Sequence, residues 1–230
     1  MGVALLAANG PAAIASSLEE ERIQSRLNWT PLKQVSKTDK DARCIKCRGK
    51  YTDPLAGADR SVSPNESDLE VSSGDSDITD NAFFFSDAVT VTQGYRTLKA
   101  EEVTIDRVEQ TVTATGPIEV REPGIVMYGD AISYNSVDEQ AQLTDAEFVL
   151  YEQQLYGIAE EVTRDANGTL TIEDGELTFC TPTDPSWLAS AETLETDAIN
   201  NVGAAWGARI DVTGVRSLYL PWIQFPVREQ

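Results

Sequence analysis

The sequence predicts an all-β fold built as a stack of two-stranded units, and three features carry that prediction. From Ile78 onward apolar residues alternate in short runs: Val89 and Val91, Val103 and Ile105, Ile118 and Val120, Ile132 and Tyr134, Phe148 and Leu150, Leu177 and Phe179, Ile210 and Val212. Alternation with period two, bounded by Gly, Pro, Asn and Asp, is the pattern of half-buried strands. No sustained helical period interrupts these runs. The third feature is a diffuse repeat of about 30 residues.

One series of the repeat reads "AEEVTID" at Ala100, "GDAISYN" at Gly129, "AEEVTRD" at Ala159 and "AETLETD" at Ala191, spaced by 29, 30 and 32 residues. A second series interleaves with it: "DAVTV" at Asp87, "GPIEV" at Gly116, "AEFVL" at Ala146, "GELTF" at Gly175 and "ARIDV" at Ala208, spaced by 29, 30, 29 and 33. Two series with nearly one period mean two strands per unit. A period of this length marks stacked rungs, each burying its apolar face on its neighbours, so one unit alone does not fold. In the first series a small residue precedes an apolar one by two to four positions, which suits a strand that bends tightly and then turns a side chain inward.

The flanks read differently. "MGVALLAANGPAAIASS" is apolar and ends in Ala13-Ile14-Ala15, an A-x-A pattern, so residues 1–15 are read as an incomplete export signal that lacks its basic start; the plain alternative is a weakly helical tail. Residues 16–77 are read as a mostly irregular arm and linker, with charged runs or a short helix first and a Ser-, Asp-, Gly- and Pro-rich stretch over 56–80. The packed domain is placed at 78–214, and 215–230 is read as a connecting tail. Its "LYLPWIQFP" carries Tyr219, Trp222, Phe225 and two prolines, a stiff aromatic segment or an ordinary closing strand.

Composition removes several function classes. A net charge of −20 and pI near 4.2 argue against any polyanion being held mainly by charge, since nucleic-acid binders need clustered Lys and Arg, and no nucleic acid is expected. There is no His, so His-based triads and His-ligated metals are absent. No stretch approaches the roughly 20 apolar residues of a spanning helix. The recurring acids Glu101, Glu102, Asp130, Glu160 and Glu161 are of the type a glycosidase pairs. Their repetition on successive rungs points instead to a solvated outer face, since an active site needs one irregular constellation. No enzyme is expected. Cys44 and Cys47 have C-x-x-C spacing, but with one further Cys and no His four-coordinate zinc lacks ligands, and no cofactor is expected. A local Cys44–Cys47 disulfide and free thiols both remain open.

Five stretches, "FFFSDAVTVTQGYRTLKAEEVTID", "VTATGPIEV", "YGDAISYN", "GELTFCTPTDPSW" and "VRSLYLPWIQFPV", together with "CRGKYTDP" from Cys47, resemble the LptD family of LPS-assembly proteins in its periplasmic N-terminal part with OstA-like repeats. The resemblance covers about three quarters of the chain. It implies an open, twisted β-jellyroll of about five rungs at the periplasmic face of the Gram-negative outer membrane. Such a domain accepts lipopolysaccharide (LPS) from an LptA bridge and passes it to a barrel, with LptE as a further partner. It also implies that the barrel follows "LPWIQFPV", so this chain is read as a fragment, and that Cys47 and Cys180 each pair with barrel cysteines rather than within this stretch. The expected lipid-lining residues are Val91, Val103, Ile105, Ile118, Val120, Ile132, Tyr134, Phe148, Leu150, Val162, Leu177, Phe179, Leu194 and Ile210. The edge from Phe83 to Val91 is the expected docking place for the LptA-like partner by strand addition.

Overall fold

The computed structural model describes residues 11–39, 45–183, 185–197, 200 and 202–226. Residues 1–10 of the expected export signal and Cys44 lie outside them. Helix α1 (Pro11–Arg26) opens the described chain, followed by a small ribbon of β1 (Trp29–Pro31) and β2 (Gly49–Tyr51). Then come β3 (Leu69–Ser72), β4 (Asp75–Ile78), β5 (Ala82–Gln93), β6 (Arg96–Asp106), β7 (Thr111–Glu122), β8 (Ile125–Asn135), β9 (Ala141–Leu150), β10 (Leu155–Arg164), β11 (Leu170–Thr178), β12 (Trp187–Asp197), β13 (Val202–Val212) and β14 (Val215–Pro226). These twelve form one antiparallel meander that does not close, each strand from β5 onward pairing with the next.

The repeat is the visible trace of a bend. Left-handed backbone recurs near the middle of each odd-numbered strand from β5 to β13, at Asp87 and Ala88, Gly116, Asp145, Asp174 and Gly207. Non-glycine residues pay roughly 1–2 kcal/mol there, and Asp tolerates it better than most. At Gly116 no other residue fits, because an added Cβ would sit 2.5 Å from that of Glu101. The hairpin turns repeat too, through Gln110, Glu139 and Gly168 on one side and Gly94, Gly124 and Gln154 on the other. Each bend folds the sheet over itself, and the inward parity shifts with it: Leu98 and Ala100 before the bend of β6, Val103 and Ile105 after it, all belong to one interior cluster. That cluster spans β5–β8, and a second one, around Leu143, Ala146, Ala159 and Ile172, continues it.

The sheet begins at Leu69 rather than Ile78. β3 pairs with Thr90–Gln93 and β4 with Phe83–Ser86, so the two act as one broken strand, hinged where Gly74 N–H bonds Asp87 O at 2.8 Å. The expected free edge at Phe83–Val91 is therefore covered, and the outer edge is β3–β4 itself. All four residues of β4 are exposed, so main-chain pairing holds it without the apolar alternation that would have revealed it. At the other end, Val215–Pro226 takes the second of its two readings, a closing strand, paired with β13 from Val202 to Val212.

The arm is ordered and braced against the outside of the sheet. Pro11 fits a first helical turn, and Asn28, left-handed at φ 57°, ends the chain's helical run. Ile23 and Leu27, four apart on one helical face, are buried with Trp29, Cys47 and Tyr51 against Val126, Tyr128, Val149, Tyr151, Tyr156 and Cys180. Polar contacts complete the joint. Arg121 and Tyr128 donate to the Arg26 carbonyl at 3.1 and 2.6 Å, satisfying a helix-end acceptor. Gln154 takes both main-chain groups of Tyr51, Asp53 accepts from Gly124 N–H, and Glu147 meets Arg22 and Arg26. Cys47 and Cys180 are bonded to each other across 133 residues. That corrects the expectation that both lack a partner within this stretch, and it leaves Cys47 unavailable to Cys44. The reason is the arm's path, which returns β2 to the start of the β11–β12 connection with Tyr51 OH donating to Cys180 O at 2.9 Å.

Burial at this joint pushes the Tyr151 hydroxyl up to about 12 and those of Tyr51 and Tyr156 upward as well. A folded-state value above the unfolded one near 10 means their contribution is whole below pH 10 and fades as pH rises through about 12. We expect the arm to loosen over that window. A tyrosinate absorbance titration should show four of the seven tyrosines, Tyr51, Tyr128, Tyr151 and Tyr156, ionising late; seven ionising together near pH 10 would contradict the joint as described.

Candidate functional site

The rungs are filled unequally. In β5–β10 the inward positions interdigitate: Val103 and Ile132 flank Ala114, and Phe148 lies over Gly157, where even a Cβ would collide with the ring. Val103, Ile118, Val120 and Phe148 are 1–8% exposed. In β11–β13 the inward positions shrink to Gly175, Ala189, Ala191, Ala205 and Ala208. Their partners across the ladder are Ala191 for Gly175, Leu177 and Ile210 for Ala189, Leu194 and Ile223 for Ala205, and Leu220 for Ala208. The small residues leave space between the larger side chains of the neighbouring strands, and an apolar cavity of about 170 Å³ results.

Its wall is hydrocarbon from Ile172, Leu177, Leu194, Ile210, Leu218, Leu220, Ile223 and Phe225. Arg209 is the charged residue at its margin, held by Glu192 at 2.9 Å. A cavity of this size and lining stays dry and takes apolar groups. It lies toward the β14 edge, where Ile210 and Leu218 are 37% and 44% exposed. The opposite face of β13 and β14 also carries exposed apolar groups, Trp206, Tyr219 and Trp222. An edge strand apolar on both faces, with unpaired main-chain groups along one side, calls for cover.

Of the expected lining residues, Leu177, Leu194 and Ile210 reach this cavity. Val91, Val103, Ile105, Ile118, Val120 and Ile132 belong to the packed β5–β8 interior, and Val162 packs beside Leu143 and Ile172. Phe148 is buried between Met127 and Gly157, and Leu150 is half-buried opposite Ile125 and Leu155. Tyr134 is 40% exposed beside a polar hollow that includes Thr113, Ser133 and Gln142. Phe179 departs from the expectation: one residue past β11, it packs on the arm cluster and edge-to-face on Trp187 at 4.8 Å. The residues missed are the small ones, since Ala and Gly carry no alternation signal, and the β14 set Leu218, Leu220, Ile223 and Phe225, which does alternate within the stretch set aside as a tail. The recurring acids Glu101, Glu102, Asp130 and Glu160 are exposed, and among the described residues no group of His, Cys, Asp or Glu is placed to hold a metal. No described helix is long and apolar enough to cross a membrane.

Compared with known proteins, residues 69–201 match the family described as LptA/(LptD N-terminal domain) LPS transport protein, starting at the first residue of β3. The LPS-assembly protein LptD of Saccharophagus degradans is 29% identical over 185 residues, 80% of this chain and 22% of that protein. That of Hahella chejuensis is 27% identical over 228 residues, 96% of this chain and 29% of that protein. This chain thus spans less than a third of the length of these relatives. The crystal structure of LptH, the LptA-homologous periplasmic component from Pseudomonas aeruginosa, aligns at 21% identity and TM-score 0.41, covering 46% of this chain and 80% of that one. The family's description is one of transport rather than catalysis, and with its match covering more than half of the sequence, this chain belongs to the LptA/LptD N-terminal-domain family of LPS transport proteins.

Proposed function

We propose that the domain is a periplasmic conduit that accepts LPS from an LptA-type partner at the β3–β4 edge and hands its acyl chains, along an apolar groove whose open space lies between β11 and β14, toward an outer-membrane barrel assembled with LptE. The observation that carries this reading is the hydrocarbon-lined cavity at the β14 edge of a sheet that stays open. Burying each CH₂ contributes about 0.8 kcal/mol, so fully enclosing several acyl chains would exceed the roughly 18–21 kcal/mol at which noncovalent affinity saturates. A carrier that must release its cargo does better to hold a short stretch of one chain at a time. A 170 Å³ cavity with an exposed rim fits that requirement, and the acidic outer face leaves a phosphorylated sugar head in water.

The test is photo-crosslinking during LPS export. Adducts are expected at Leu194 and Leu220, which line the cavity, and not at Tyr95, in the β5–β6 turn. Adducts absent from both cavity positions would overturn the reading. The entry edge has its own test in a pair of neighbours, Ser76→Pro and Asp77→Pro. Successive strand residues aim their N–H groups to opposite sides, so one proline removes an outward donor and the other a bond to β5. The outward variant is expected to stay folded and lose crosslinking to the LptA-type partner; retention of both by both variants would remove this edge from consideration.

A further inference from the structure

Charge is distributed very unevenly along this chain. In the described arm residues 27–39 and 45–53 the charged residues are Lys33, Lys37, Lys46, Arg48 and Lys50 against Asp39 and Asp53, a net +3, although the whole chain carries −20. Pairing of β1 with β2 gathers these cations into one small lobe. Thr30 faces Lys50 across the ribbon, and Leu32 N–H bonds Arg48 O at 2.7 Å, with Lys33 next along the chain. Burial then separates two faces: Cys47, Gly49 and Tyr51 are buried toward the sheet, while Lys46 and Arg48, on the turn that enters β2, are exposed. The disulfide and the Tyr51 contacts fix the buried face, so the basic face is held outward. Lys33 and Lys37 are exposed on the same lobe, and Ile45, 58% exposed, is its one large exposed apolar residue among those described.

We propose that this lobe docks the domain on an anionic phospholipid surface. A protein partner of ordinary size requires a buried apolar centre, and one isoleucine does not supply it. A headgroup layer needs only a compact cationic face, with an aliphatic side chain beside it to sit at the headgroup boundary. The net charge of the molecule does not forbid this. Screening acts over about 8 Å at physiological ionic strength, so the lobe's cations feel the surface while the more distant acidic sheet is largely screened. The acidic body then orients the molecule, lobe toward the lipid, instead of repelling it.

The test uses the 230-residue chain and vesicles of phosphatidylcholine with or without phosphatidylglycerol. Binding to the anionic vesicles should exceed that to neutral ones by roughly tenfold or more and disappear at high salt. The variant Lys33→Glu/Lys37→Glu/Lys46→Glu should lose that gain, whereas Lys99→Glu, on the sheet, should keep it. Acetylation footprinting of the unaltered chain gives the same answer without substitutions: vesicles should protect Lys33, Lys37 and Lys46 but not Lys99. Equal binding to neutral vesicles, unchanged binding by the triple variant, or equal protection of Lys99 would each overturn the proposal. So would competition by inorganic phosphate beyond that of chloride at matched ionic strength, which marks a small-anion site, or binding only when LPS is present, which marks a cargo contact.

Discussion

Replacing Cys47 or Cys180 with Ser lowers the stability of the chain by about 2–5 kcal/mol, a melting shift of order 10 °C for a domain of this size. The bond closes 133 residues, from the arm to the start of the β11–β12 connection, so its loss frees a long loop in the unfolded chain. It also removes the one covalent tie at a joint otherwise made of hydrogen bonds, the Glu147 ion pairs and a single buried cluster. Non-reducing peptide mapping should recover Cys47 linked to Cys180, and reduced wild type should unfold at the midpoint of the variant. Identical unfolding of oxidised wild type and variant would show that the arm stays put without the bond. Tyr51→Phe, which removes only the hydroxyl bonded to the Cys180 carbonyl, should cost about 1 kcal/mol, separating the bond from its surroundings.

Ala191→Leu combined with Ala208→Leu fills the cavity and is expected to reduce capture of an acyl probe by more than about tenfold, since the occupied space is no longer available. The fold should survive. Both positions border empty volume, so the usual overpacking cost of about 1–3 kcal/mol should fall at its low end. Ala114→Leu is the control. Ala114 is 1% exposed between Val103 and Ile132, with no space beside it, and the same added bulk there should destabilise the chain strongly. Titration of a fluorescent fatty-acyl probe checks the first expectation, and wild-type binding by a folded double variant would detach the cavity from the proposed transport.

Much of the fold was legible because bends and strands write themselves locally. Gly116, Asp174 and Gly207 stand where the backbone turns left-handed, and Val89, Ala100, Val103 and Ile118 stand where side chains turn inward, so the two series at about 30 residues mark real strand pairs. β4 was not legible. Asp75–Ile78 is held by main-chain bonds to β5 and exposes every side chain, and such pairing leaves no apolar trace. The candidate site was legible only in part, through Leu177, Leu194 and Ile210, because a cavity is made by what is missing. Ala189 and Ala205 announce nothing until their partners across the ladder are known.

By itself, the sequence determined the all-β character, the two-strand unit and the apolar face of each rung, since dihedral preference and side-chain alternation act between near neighbours. The tertiary structure alone decided that Cys47 meets Cys180, that the arm braces the outer wall, and that a hydrocarbon-lined space opens between β11 and β14. Each of these depends on which residues far apart in the chain arrive side by side, and that is set by the accumulated bend and twist of the whole sheet.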